Sequence, residues 1–267
     1  MPQDWVHEFR RPAHARASVV LVSGLGGVWF DWGAVVDRLP VDLSVIGVDP
    51  SRCPDRPSLP RRVGLLTEVA TGLPRPVVWV AHSMAAFAVE ALGRRGSAPF
   101  DGLVMVDPSV GEEPTVLQAP IGLLGARLHR HPGWAQILVG HFGPLGRRLV
   151  VRALTGRRDR ARQAVVQRTY GDPTVVATIL TEYRAFDTQA AVLERLRRLH
   201  RWPPTPAVVL LAGRRRLPFP DLGWIVRRVP RSGHLMMLDR PEVIVGSILA
   251  VIDEICPAGN IRATGEL

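Results

Sequence analysis

Three residues of complementary type stand far apart along this chain, in an order that suits covalent catalysis: Ser83, Asp107 and His234. A serine hydroxyl holds its proton too tightly to attack a carbonyl unaided, so it needs an imidazole as base. A carboxylate on the other ring nitrogen fixes the tautomer and stabilises the imidazolium that forms. Ser83 lies in Ala81-His82-Ser83-Met84-Ala85, between an apolar run over residues 76–81 and a helical pattern at Phe87, Val89 and Leu92. Strand, sharp turn with a central Ser, then helix is the context that projects a hydroxyl from the C-terminal edge of a sheet. The blander alternative is a buried strand followed by a Ser that caps the next helix. Ala stands at both positions where such an elbow usually has Gly, so the motif alone leaves both readings open.

The elements that must position these residues can be read from the apolar pattern. Short runs at residues 18–22, 43–48, 76–81, 103–106, 207–212 and 224–229 read as strands, with a further edge strand near residues 5–9. Helical spacing fills residues 28–39, which Pro40 stops, then 62–73, the stretch after Ser83, and 241–255, which Pro241 opens. Apolar strands without alternation, separated by helices, predict an α/β fold: a mostly parallel central sheet with helices on both faces. In such a sheet the loops carrying Ser83, Asp107 and His234 all emerge at one edge, where open α/β folds place their ligands.

Residues 111–168 break this rhythm with helical fragments at 121–128, 134–139 and 145–154 and no clear strand. Residues 174–199 read as a longer helical region with a break near Asp187-Thr188. The expected division is a core of residues 1–110 and 201–267 and a helical cap of residues 111–200 over the cleft.

An oxyanion forming at the substrate carbonyl needs preorganised donors, each worth about 2.7–4 kcal/mol. The backbone N–H groups of Met84, at the start of the elbow helix, and of Leu25, after Gly24, are placed for this.

Length and composition bound the remaining classes. The 267 residues, 46% of them hydrophobic, suit one α/β domain with an insertion or two small domains. No run approaches about 18 consecutive apolar residues, so no membrane span is expected. The N-terminal stretch mixes charges and has no apolar core, unlike a secretory signal. Cys53 and Cys256 sit in no metal or redox spacing and are expected to stay reduced in a cytoplasm. The net charge is +10, and every basic residue among the 34 is Arg. These Arg residues form short scattered clusters, with no zinc-finger spacing or aromatic RNA-binding motif, which argues against a specific nucleic-acid partner. The histidines include no H-x-x-x-H pair, so neither metal nor cofactor is expected, and His7, His14, His131, His141 and His200 ask for no ligand role.

The pieces VVLVSGLGG, SVIGVDPSRCPDRPS, VVWVAHSMAAF, DGLVMVDPS, VVLLAG and VPRSGHLMMLDRPEVI together resemble the α/β-hydrolase superfamily over residues 18–255. The resemblance implies Ser83 as nucleophile, His234 as base, and Leu25 and Met84 as oxyanion donors. A nucleophilic Asp, as in relatives that split epoxides or carbon–halogen bonds, does not occupy the elbow. Three departures stand out. Ser23 replaces a common His before Gly24, Ala81 and Ala85 replace elbow glycines, and Arg216 falls where many members carry the triad acid. Some members place the acid after the preceding core strand, which here is Asp107. Its blander role is a strand-end Asp that caps a turn, and Asp221 is a displaced substitute.

Other residues carry their own expectations. His82 is read as making a structural hydrogen bond, and Asp49 as capping the loop after its strand. Trp29, Phe30 and Trp32 line either the entrance or the core, and Arg214, Arg215 and Arg216 form a solvated cluster. The expected activity is hydrolysis of a small-to-medium hydrophobic carboxylic ester, lactone or thioester through an acyl-Ser83 intermediate. The rivals are a catalytically degenerate binding protein of the same fold, and a hydrolase of carbon–carbon bonds or carrier thioesters. Pairing into a homodimer through a cap helix or a sheet edge stays open.

Overall fold

The computed structural model describes residues 5–53, 58–111, 127–128, 132–213 and 223–257. Among these residues seven strands form one sheet: β1 (Val6–Arg10), β2 (Ala17–Val22), β3 (Leu43–Val48), β4 (Val77–His82), β5 (Gly102–Val106), β6 (Ala207–Ala212) and β7 (Ile225–Val229). Their order is β1-β3-β2-β4-β5-β6-β7, and only β1 runs antiparallel to its neighbour. The chain builds outward from β2 in both directions, so the crevice between the ends of β2 and β4 is the switch point where such sheets bind ligands. Ser83 follows β4 and the glycine loop at residues 24–27 follows β2, so the order of strands alone brings them together.

Strands β2 to β5 are buried along their whole length because both faces are covered. Alternate residues of a single strand feed different cores. Val20 and Val22 pack with Leu66, Phe87 and Leu92 from α2 (Leu59–Ala70) and α3 (Ala85–Arg95). Val19 and Leu21 pack on the opposite face with Trp32, Ile248 and Ile252, the last two from the C-terminal helix Pro241–Ile255. Each fully buried aliphatic side chain contributes about 1.5–3 kcal/mol, so truncating one costs both a transfer term and a cavity.

Between β5 and β6 the described residues form no strand and are mainly helical. They form α4 (Pro132–Thr155), α5 (Gln163–Tyr170), α6 (Pro173–Arg184) and α7 (Phe186–Leu199). The sequence pattern separates residues 134–139 from 145–154, but α4 runs through both and contains Pro144. A proline leaves the carbonyl four residues earlier without its N–H donor. That carbonyl belongs to Gly140, and the Gln167 side-chain amide donates to it at 2.8 Å, which lets the helix continue. The break expected near Asp187 falls instead at Ala185. Expected fragments at 121–126 lie outside the described residues.

The helix expected over residues 28–39 is reduced to a 3-10 turn, Trp29–Trp32, and one α turn, α1 (Gly33–Val36). The Asp31 carboxylate turns back to accept from the Val28 N–H at 3.2 Å, and Trp32 donates to the Ser23 hydroxyl at 3.1 Å. These side-chain bonds hold the short segment against β2 in place of a regular helix. The helix expected at 62–73 begins at Leu59, with a proline in its first turn, and ends before Gly72, whose φ is +77°. The C-terminal helix keeps its expected bounds and is preceded by the one-turn α8 (Met236–Asp239), so Pro241–Ile255 is α9. Glu194 and Arg198 make the expected exposed i,i+4 pair at 3.3 Å.

A buried guanidinium joins the inserted helices to the core. Arg147 of α4 contacts Asp31 at 3.1 Å with a second, shorter bond to the same carboxylate, and contacts Asp159 at 3.0 Å. Burial pushes the Asp31 carboxyl up, while the Arg147 charge beside it pulls in the other direction. Among the described residues no helix is long and apolar enough to cross a membrane.

Candidate active site

The turn from β4 into α3 holds Ser83 at a φ of +52°, in the left-handed region that side-chain-bearing residues rarely occupy. Such a conformation costs about 1–3 kcal/mol and persists only where surrounding bonds over-determine it. Here the Ser83 N–H donates to the Val106 carbonyl at 3.1 Å, and the Ser83 carbonyl accepts from Ala86 and Ser109, both at 3.1 Å. Strand β5 and the first turn of α3 therefore fix the apex between them. The methyl groups of Ala81 and Ala85 are accommodated in the core beside it.

The structure brings Ser83, His234 and Asp107 into one hydrogen-bonded chain. Nε2 of His234 lies 2.9 Å from Ser83 Oγ, and Nδ1 lies 2.6 Å from Asp107 Oδ2. The other Asp107 oxygen accepts from the Ala212 N–H at 3.0 Å, which ties the end of β5 to the end of β6 and sets the carboxylate's orientation. Asp107 also has a positive φ, +40°, and its N–H donates to Leu210 at 2.7 Å. A buried carboxylate accepting from both a backbone amide and Nδ1–H leaves Nε2 unprotonated and facing the hydroxyl. Arg214, Arg215, Arg216 and Asp221 lie outside the described residues.

His82 is buried and sits against His234, with ring centroids 4.7 Å apart. Burial, followed by the nearby His234, lowers its pKa to about 3, so it is neutral at ordinary pH. Its Nε2 lies 3.0 Å from the His234 carbonyl, which can only accept, so Nε2 carries the proton. His82 thus holds the backbone of His234 in place.

The glycine loop approaches the same point. A Cβ on Gly24 would lie 2.8 Å from His82 Nδ1 and 2.9 Å from Ser83 Cβ, so no side chain fits there. The neighbouring Gly26 peptide is held from two sides. Its N–H donates to Ser51 Oγ at 3.0 Å, and its carbonyl accepts from the Tyr170 hydroxyl at 2.6 Å. Ser23, at the loop's start, donates to Asp49 at 3.0 Å and accepts from Trp32. Asp49 does not cap the 3-10 turn after it, contrary to expectation: its carboxyl is turned toward Ser23 instead. Burial raises that carboxyl to about 7. Trp32 belongs to the core, whereas Trp29 stacks on His7 with centroids 3.9 Å apart.

A narrow cavity runs beside this loop. It is lined by Leu25 and Met84, by aliphatic residues including Val22, Val48, Leu65 and Ala88, and by Arg62, Glu182 and Gln189. Sequence reasoning singled out Ser83, His234, Asp107, Leu25 and Met84, which the structure brings to this end of the sheet, but did not single out Tyr170, Ser51, Arg62 and Glu182. The signals available for those four, isolated polar residues inside helices or loops, do not distinguish a buried partner from a solvated one.

A comparison across protein families matches residues 19–246 to the alpha/beta hydrolase family. This chain belongs to that family. The hydrolase is an enzyme whose substrate the membership leaves open. No curated protein sequence matches it. Solved structures similar to this hydrolase include Cfl2 from Burkholderia cenocepacia, with 15% identity over 92% of this chain and 91% of that one, and a TM-score of 0.66. A candidate epoxide hydrolase from Pseudomonas aeruginosa shares 18% identity over 94% and 91% of the two chains, with a TM-score of 0.69. A variant of the haloalkane dehalogenase DatA from Agrobacterium tumefaciens shares 16% over 94% and 98%, with a TM-score of 0.64. At identities this low the likeness carries the fold alone.

Proposed function

We propose that this enzyme is a serine hydrolase that cleaves a small-to-medium hydrophobic ester, lactone or thioester through an acyl-Ser83 intermediate. The observation that carries the reading is the unbroken hydrogen-bonded path from Ser83 through His234 to Asp107. In the first step Ser83 Oγ bonds to the acyl carbon while its proton passes to His234 Nε2. The carbonyl π electrons move onto oxygen, which the N–H groups of Leu25 and Met84 stabilise. Collapse of this intermediate expels the alkoxide or thiolate, which takes the proton from His234 as it leaves. Water then repeats the sequence in reverse roles and releases the carboxylic acid. Asp107 stays ionised throughout and stabilises the imidazolium.

The aliphatic lining beside Leu25 and Met84 supports a hydrophobic acyl group, and the helices of residues 111–200 would act as its cap. A serine at the elbow favours acyl transfer over the epoxide or halide chemistry named for two of the similar structures. The degenerate-binding alternative draws on Arg216 at the usual acid position and on Ala81 and Ala85 at the elbow; the 2.6 Å contact of Asp107 with His234 weighs against the first of these.

An activated p-nitrophenyl ester should give a burst of nitrophenol equal to the enzyme concentration, and a serine-reactive phosphonate should label Ser83. Ser83→Ala should abolish both. Asp107→Asn should lower turnover about 10⁴-fold, as in a comparable triad. Absence of adduct and of turnover in the unaltered protein would remove the reading.

A further inference from the structure

The cavity beside Leu25 and Met84 has polar residues that the acyl-transfer steps leave unused. Arg62 of α2 lines it and is only 3% exposed. Nonetheless its Nε, Nη1 and Nη2 have no hydrogen-bond partner among the described residues. Glu182 of α6 forms an ion pair with it, Nη2 to Oε1 at 3.3 Å, but the approach is wrongly angled for a hydrogen bond. The second oxygen of Glu182 accepts from Ser51, the same hydroxyl that holds the Gly26 N–H. Arg61, the preceding residue in sequence, is half exposed, so the two members of that basic pair occupy different environments.

Buried guanidinium donors are rarely left unfilled by their own protein, because the desolvation cost is not recovered. An occupant of the cavity could recover it. Glu182 already balances the charge of Arg62, so a second carboxylate would bring an excess negative charge into an aliphatic cavity. A neutral oxygen acceptor fills the free N–H groups without that excess.

We propose that Arg62 recognises a neutral carbonyl carried on the acyl chain, making oxo-acyl or amido-acyl esters the preferred substrates over plain alkanoyl esters. The inference rests on the acyl-Ser83 reading, since it assigns the cavity to the acyl group. A site built to hydrogen-bond a substrate discriminates strongly against the isostere lacking that group, because its buried donors are left unpaired.

The test uses the full chain and three series of p-nitrophenyl esters of matched length: methyl-ketone-ended, n-alkanoyl and carboxylate-ended. Rates are normalised to sites titrated by the phosphonate, so partial unfolding does not enter the ratio. At the chain length that reaches Arg62, kcat/KM for the ketone series should exceed that for the alkanoyl series by at least about 10-fold. Arg62→Met combined with Glu182→Gln, which removes the charge pair together, should bring the ratio close to unity. Arg62→Lys keeps the charge but loses the planar fork and should also lower it. If the double variant does not fold, this single variant decides the matter.

Equal rates for ketone and alkanoyl esters at every length would overturn the inference, as would a ratio that survives in the variants. A preference for the carboxylate-ended series would overturn it too, by showing an anion site. Those outcomes leave the acyl-enzyme intact. Absence of both turnover and labelling would instead sink the acyl-Ser83 reading, and this inference with it.

Discussion

Replacing Asp49 by Asn should make the protein more stable relative to the wild type as pH rises. The Asp49 carboxyl is 1% exposed, and burial raises it from an ordinary 3.8 to about 7, with the Trp29 N–H and the Ser23 hydroxyl offsetting only part of that. The native protein therefore keeps a proton over a range in which the unfolded chain has lost it. Stability contributed by this group is fully present below about pH 4 and is lost as pH climbs through about 7. Each pH unit of separation is worth about 1.4 kcal/mol, so a rise from 3.8 to about 7 sets a ceiling of about 4 kcal/mol. Asn copies the shape of the protonated acid, can still accept from Ser23, and does not titrate. Urea unfolding followed by tryptophan fluorescence, on both proteins from about pH 4 to about pH 8, should show the difference moving in favour of Asn. Taking the difference at each pH cancels the titration of distant groups. A flat difference, or one moving toward Asp, would refute the claim that this carboxyl is buried without adequate compensation.

Four further outcomes follow from the same packing. Arg147→Met strands the buried Asp31 and Asp159 carboxylates and should cost about 3–5 kcal/mol, read as a fall in the urea midpoint at constant m. Tyr170→Phe removes the hydroxyl that holds the Gly26 carbonyl. Loss of about 1 kcal/mol of loop positioning should lower kcat about fivefold with little change in KM, and an unchanged kcat would detach that bond from catalysis. Gly24→Ala places a methyl against His82 and Ser83 and should abolish phosphonate labelling. Gly33→Ala, at a helical position with nothing within 4 Å, should be tolerated and stabilise by about 0.5–1 kcal/mol.

The parts of this protein that were legible in sequence are those set by local pattern. Continuous apolar runs located the core strands because both faces of the sheet are covered, and Pro241 marked the start of the last helix. The residues of the site could be ordered because parallel strands send their loops to one edge. Long-range compensation was illegible. Pro144 stays inside a helix because Gln167, far along the chain, supplies the missing donor, and no local pattern announces such a partner. The segment at residues 28–39 has helical spacing, but the bonds of Asp31 and Trp32 compete with the regular ladder. Arg62 and Arg147 read as ordinary basic residues in a chain rich in Arg, and only their surroundings distinguish them as buried.

An imidazole offers one Nδ1, and here it is already engaged by the carboxylate at the end of β5. A carboxylate brought in from another loop would find that nitrogen occupied, so moving the acid takes two changes at once: removal of Asp107 and placement of its substitute.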